Sequence, residues 1–325
     1  MRKTKYEYYA KRFEFTKNCF RNLGLGEDKS AGNKVFGNSL TEKDLKPVFD
    51  RAMELGLNLW DTAAVYGMGA SEDVLGQFVK NVDRDKIILS TKFTPQAADD
   101  TDRPVENMFE GSVKRLNTDY IDIYWIHNPA DVAKWSEKII PLAKSGKIKY
   151  IGVSNHSLAE IKQANEILNK EGLKISAVQN HFSLLNRTSE TSGIIDYCNE
   201  NDITFFSYMV LEQGALSGKY DTDHPFPAGS DRAKVYNDKL DKLEALIKGM
   251  NEVAQKNHVD VAQIATAWAV GKGTVPIIGA TKAKHIEDAA KAAEVSLSAA
   301  ELKQLDNLGD QTAVSTIREW EKPMN

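Results

Sequence analysis

The sequence predicts an α/β protein, a parallel eight-stranded (β/α)8 barrel of the TIM type, and three observations predict it. Short apolar runs alternate with amphipathic helical stretches along nearly the whole chain. The runs are continuous, as in Ile121-Asp122-Ile123-Tyr124-Trp125-Ile126, which is the pattern of parallel strands buried on both faces. There are eight runs, starting about every 27 to 35 residues, the period of a βα unit, until one gap of about 70 before the last.

In chain order the strands are expected at residues 20–25, 57–60, 87–91, 121–126, 149–153, 176–180, 203–208 and 274–278. The segments between them carry helix signals. Residues 41–55 have an apolar stripe of Leu45, Val48, Phe49 and Ala52 but include Pro47, which removes a backbone bond and points to a helix that begins later than Thr41. Pro104 fits a first helical position ahead of Val105, Met108, Phe109 and Leu116. Ser157 and Glu160 form a capping box, Leu158, Ile161 and Leu168 give the buried stripe, and Gly172 stops the helix. The long gap holds a Gly/Pro/Asp-rich loop, residues 220–232, and a charged amphipathic helix, residues 239–255, as expected of an elaborated loop over a barrel mouth. An open doubly wound sheet is the competing arrangement, and it calls for a glycine fingerprint after the first strand. Here Gly24-Leu25-Gly26 runs into Glu27-Asp28-Lys29, and Gly67-Met68-Gly69 lacks a third glycine and follows the second strand.

One barrel domain spanning 1–325 therefore accounts for the chain, with an N-terminal extension and a C-terminal tail. The balance of 42 Lys and Arg against 46 Asp and Glu gives a formal charge of −4, which offers no footprint for nucleic acid or an anionic membrane. Two cysteines, Cys19 and Cys198, are too few for a disulfide framework or a zinc site, so a reducing, cytoplasmic location is expected. The basic start has no apolar segment after it, and no apolar run approaches the ~20 residues of a membrane span.

Chemistry in such a barrel sits at the carboxyl ends of the strands. There the second strand leads to Asp61 and Tyr66, the third to Lys92 and the fourth to His127. A phenol gives up a proton at neutral pH when a neighbouring cation stabilises the phenolate, and Lys92 is placed to be that cation with Asp61 as its counter-charge. His127 can orient a carbonyl oxygen, so the set reads as a general acid with an oxyanion site. No serine or cysteine pairs with the histidine as a nucleophile, and no clustered ligands suggest a metal. A cofactor is expected to bring the reactivity. Ser154, Asn155 and Gln179 at the next strand ends can fix a carboxamide, and Tyr208 can stack a flat ring. Gly279, Thr281 and Lys282 lead into a helix with Lys284, His285 and Asp288, a ready anion site. Trp60 and Phe93, flanking Asp61 and Lys92, are candidate substrate walls with core packing as their other reading.

The segments Asp61-Thr62-Ala63-Ala64-Val65-Tyr66-Gly67, Ser90-Thr91-Lys92, Tyr120 to His127, Gly146 to Asn155 and Gln213-Gly214 to Gly218-Lys219-Tyr220 closely resemble the aldo-keto reductases, in order over nearly the whole chain. That resemblance implies a barrel binding NADPH without a Rossmann fold and a reversible carbonyl reduction, with an aldehyde, ketone or sugar as small-molecule substrate. It implies a catalytic tetrad of Asp61, Tyr66, Lys92 and His127, with the tyrosine as acid. It implies a carboxamide site at Ser154, Asn155 and Gln179, stacking by Tyr208, a loop of Leu211, Gln213, Ser217 and Lys219 over the pyrophosphate, and an adenosine end at Gly279, Thr281, Lys282, His285 and Asp288. The chain departs from the pattern at Met209-Val210, where Ser-Pro is common, and at His285 and Ala289, which keeps NADH as an alternative cofactor. The same resemblance extends to the potassium-channel β subunits, which implies a slow, cofactor-binding redox sensor as the alternative function.

Overall fold

The computed structural model describes residues 19–21, 40–318, 321 and 324. The apolar runs become β1 (Cys19–Arg21), β2 (Leu59–Asp61), β3 (Ile88–Phe93), β4 (Ile121–Ile126), β5 (Ile148–Ser154), β6 (Ile175–His181), β7 (Thr204–Tyr208) and β8 (Val275–Gly279). Neighbouring strands pair in parallel and β1 pairs with β8, so the sheet closes as a barrel in sequence order. The expected eight strands are present with shifted ends. β3 continues through Lys92 to Phe93 and β6 through His181, while residues 22–25 of the expected first strand lie outside the described residues.

The strand period of two divides the core. Leu59, Ile123, Trp125, Ala177, Phe206, Tyr208, Val275 and Ile277 point inward and form their own cluster. Alternate residues such as Trp60, Leu89, Phe93, Tyr124, Ile126 and Val178 point outward into the layer under the helices. The indole of Trp125 fills the barrel because β5 offers it Gly152, where a Cβ would fall 2.2 Å from the Trp125 ring.

The expected helix starts hold at Pro104, the first residue of the helix Pro104–Leu116, and at Ser157, which caps Leu158–Asn169 in a reciprocal pair with Glu160. The expected start after Thr41 holds by one residue, but Pro47 is not its cause. The helix begins at Glu42, directly after Thr41, and runs through Pro47 to Glu54. Thr41 and Asp44 form a capping box at its start, and burial of Leu45, Val48, Phe49 and Ala52 outweighs one lost bond. Pro47 lies on the exposed face with Lys43, whose carbonyl is the one left unpaired.

The gap between β7 and β8 is filled by a turn at Glu212–Ser217 and helices Asp231–Tyr236, Leu240–Asn257 and Val261–Gly271. Ala215, Phe226, Tyr236, Leu240, Leu243 and Val314 give this insertion a small core of its own. No helix among the described residues is long and apolar enough to cross a membrane.

Candidate active site

Asp61 and Lys92 occupy inward positions at the carboxyl ends of β2 and β3, both fully buried. The Lys92 ammonium donates to Asp61 Oδ2 at 2.5 Å and to the Thr62 carbonyl at 2.6 Å. Asp61 Oδ1 accepts from Ser90 Oγ at 2.6 Å and from Gln179 Nε2 at 3.2 Å, and Ser90 Oγ accepts from the Trp125 indole at 2.6 Å. Every atom of this buried pair therefore has a partner, which a charge removed from water requires. Ser90 and Trp125 fix the carboxylate that fixes the lysine.

Tyr66 opens a short turn, Tyr66–Gly69, in which Met68 takes a positive φ of 55°. The turn folds Tyr66 back so that its ring centroid lies 5.1 Å from Lys92 Nζ and meets the His127 ring edge-on at 5.7 Å. His127 follows β4, its backbone N–H donating to the Phe93 carbonyl at 2.9 Å and its Nδ1 lying 2.8 Å from Thr94 Oγ1. Four residues from three consecutive strand ends thus converge, as the sequence led one to expect.

The second half of the mouth is built by β5 to β7. Asn155 takes a φ of 62° directly after β5 and donates from Nδ2 to the His127 carbonyl at 3.1 Å, with longer contacts of 3.3 Å to Asn128 Oδ1 and Ser154 Oγ. Its Oδ1 accepts from the Tyr208 hydroxyl at 2.6 Å. Ser154, Asn155, Gln179 and Tyr208 are all buried. Beyond β7, Met209, Glu212 and Gln213 take positive φ values of 62°, 45° and 54°. Such conformations cost non-glycine residues of order 1 kcal/mol each and gather where function constrains the backbone. Leu211 packs half-buried on the core, Gln213 accepts from Arg318, and Ser217 Oγ bonds the Gly214 carbonyl.

At the end of β8, Gly279 and Lys282 are exposed, and the Thr281 backbone N–H donates to His285 Nδ1 at 3.3 Å. Burial, then the nearby Lys282 and Lys219, hold the His285 imidazolium below its ordinary range despite Asp288. Lys284 is tied to Asp288 at 2.6 Å.

Two expectations are corrected. Trp60 and Phe93 neighbour Asp61 and Lys92 in sequence and therefore point to the opposite face. Trp60 packs on Phe49 at 4.8 Å and Phe93 on Trp135 at 4.8 Å, both inside the sheet–helix core and away from the mouth. Conversely, three residues absent from the expected site belong to it by position. His181, the last residue of β6, lies stacked on Tyr208 at 5.5 Å and contacts Glu212 and Glu321. Its signal was present, since Ala177, Gln179 and His181 share one face of β6. Glu212 and Glu321 had no comparable pattern.

A closed parallel barrel with a buried Asp–Lys pair, a tyrosine and a histidine at consecutive strand ends is an enzyme-type mouth. The chain belongs to the Aldo/keto reductase family, which it matches over residues 22–310, and so to a family of oxidoreductases. It is 31% identical over 295 residues to an aldo-keto reductase of Gibberella moniliformis, a match covering 85% of this chain and 87% of the relative. It is 30% identical over 303 residues to a Schizosaccharomyces pombe aldo-keto reductase whose name specifies NADP(+), covering 87% of each. Among solved structures, the glycerol dehydrogenase from Gluconobacter oxydans shares the fold with a TM-score of 0.78 over 94% of each chain, at 23% identity.

Proposed function

We propose that this chain is an NADPH-dependent carbonyl reductase acting on a small aldehyde or ketone. The observation that carries the reading is the Lys92 ammonium, ion-paired with Asp61 and 5.1 Å from the Tyr66 ring, with His127 against that ring's edge. Tyr66 delivers the proton to the carbonyl oxygen. Lys92 stabilises the charge that the phenol takes on as the proton leaves, and Asp61 keeps the ammonium ionised and in place. His127, with Thr94 setting the rotation of its ring, orients the oxygen for that transfer.

The mouth fits a nicotinamide dinucleotide. Ser154, Asn155 and Gln179 are buried hydroxyl and amide groups beside Tyr208, the donor and acceptor set a carboxamide needs next to an aromatic face. Lys219 and Lys282 both act on His285 at the outer end, and a pair of lysines there suits phosphates. Leu211, Gln213 and Ser217 shape the loop between these ends, with Gly279, Thr281 and Asp288 opposite. When bound, the nicotinamide supplies the hydride that no side chain can. The two lysines, and the NADP(+) in the name of the fission-yeast relative, favour NADPH over NADH.

The test is nicotinamide oxidation against aldehydes, ketones and sugars with NADPH and NADH in parallel, on the native protein and Tyr66→Phe. Turnover by the native protein should fall roughly a thousandfold or more in the variant while NADPH still binds. Full turnover in Tyr66→Phe would overturn the assignment.

A further inference from the structure

At the ends of β6 and β7 lies a charge cluster that proton delivery does not use. His181 is 2% exposed, with Nε2 2.7 Å from Glu212 Oε1 and Nδ1 2.9 Å from Glu321 Oε2. Ionised carboxylates only accept hydrogen bonds, so each ring nitrogen carries a proton and the ring is an imidazolium. Glu212 also accepts from Ser183 at 2.5 Å, from Tyr236 at 2.7 Å and from Thr316 at 3.0 Å. Glu321 also accepts from the Arg318 backbone at 3.1 Å, and the Arg318 guanidinium lies 2.5 Å from the Tyr236 hydroxyl. Thr316, Arg318 and Glu321 belong to the C-terminal tail, which this cluster pins over the mouth.

The pinned tail meets the nicotinamide end of the proposed site at one atom. The Tyr208 hydroxyl lies 2.6 Å from Asn155 Oδ1 and 2.7 Å from Glu321 Oε1. Asn155 turns its amide nitrogen toward the His127 carbonyl, so its oxygen must face Tyr208. The phenol has one proton and, among the described residues, is within hydrogen-bond distance of these two acceptors. We propose that Glu321 is a positioning residue for cofactor binding: docked by His181, its carboxylate accepts the Tyr208 O–H hydrogen bond and releases the Asn155 amide oxygen to accept from a carboxamide N–H. This rests on the reading that Asn155 and Tyr208 hold a nicotinamide. Without Glu321, a carboxamide has to compete with the Tyr208 O–H for the same oxygen. Burial disfavours the charged ring, but Glu212 and Glu321 prevail and hold His181 at about 9, so the clamp is charged at neutral pH.

The experiment is a double-mutant cycle read by equilibrium NADPH binding, followed through quenching of protein fluorescence in the full-length protein. Glu321→Ala should weaken NADPH about tenfold, the worth of one buried hydrogen bond. In a Tyr208→Phe background no phenol proton occupies Asn155, so Glu321→Ala should then cost less than about twofold. Glu321→Gln, which keeps an acceptor, should fall between the native protein and Glu321→Ala. Equal losses in both backgrounds would mean a merely structural tail and would overturn the proposal, as would unchanged binding in Glu321→Ala. NMR titration of His181 without cofactor should show its midpoint falling from about 9 in Glu321→Ala, and an unmoved midpoint counts against the clamp. Failure of the underlying reading looks different: the native protein would not bind NADPH, or Tyr208→Ala would bind it as well as the native protein.

Discussion

The mouth of the barrel holds two buried charge groups that solve the same electrostatic problem in different ways. The Lys92–Asp61 pair joins adjacent strands and is 31 positions apart in sequence, with Ser90, Gln179 and the Thr62 carbonyl completing its bonds. The His181 cluster joins β6, the β7 loop and the tail, and the pair His181–Glu321 is 140 positions apart. Strand pairing holds the first rigidly through the Asp61↔Ser90 register. Side-chain contacts from the segment that follows the last helix hold the second, outside the hydrogen bonding of the sheet. On the proposed reading, a site built this way has a fixed catalytic half and a cofactor half that depends on the tail.

Removing the lysine breaks the first group most severely. Lys92→Met should abolish measurable turnover and lower stability by about 3–5 kcal/mol, because Asp61 is left buried without its cation. Adding Asp61→Asn should recover much of the stability in urea melts but none of the turnover. Recovery of both would mean that the pair is only a fold element.

The second group should respond to pH. The His181 pKa is raised from 6.5 to about 9 by Glu212 and Glu321 against the cost of burial. Its contribution is therefore full below about pH 6.5 and is lost as pH rises through about 9, which amounts to roughly 3 kcal/mol at the extreme. Urea unfolding at a series of pH values should show that decline, and Glu321→Gln should flatten it. A decline of the same size in that variant would assign the pH dependence elsewhere.

The smallest effect expected is at the floor shared by both halves. Gly152→Ala places a Cβ 2.2 Å from the Trp125 ring, whose indole N–H supports Ser90 and through it Asp61. A stability loss of about 1–2 kcal/mol is expected, with a larger proportional loss in turnover than in NADPH affinity. Equal losses in both would mean that Trp125 carries the barrel as a whole rather than the tetrad.

Much of this was legible beforehand. Continuous apolar runs at βα spacing located the strands, and Asp61, Lys92 and His127 stood out because charged or titratable residues closed those runs. Period-two alternation in a strand also contained what was first misread. If Asp61 and Lys92 face inward, Trp60 and Phe93 face outward, and if Gln179 faces inward, so does His181. Pro47 shows the opposite limit, since local propensity argued for a late helix start and four buried side chains overrode it. Cys198 is a free, buried cysteine, with burial pushing its thiol up.

By itself the sequence determined the barrel, the order of its strands and which residues meet in the proposed catalytic half of the mouth. These follow from local periodicity and from residues at fixed offsets along neighbouring strands. Only the tertiary structure decided that Glu212 and Glu321 meet His181 and that Tyr208 has two acceptors for one proton. Those contacts join segments with no shared period or register, brought together by docking of the tail, and pairings of that kind leave no trace in a one-dimensional pattern.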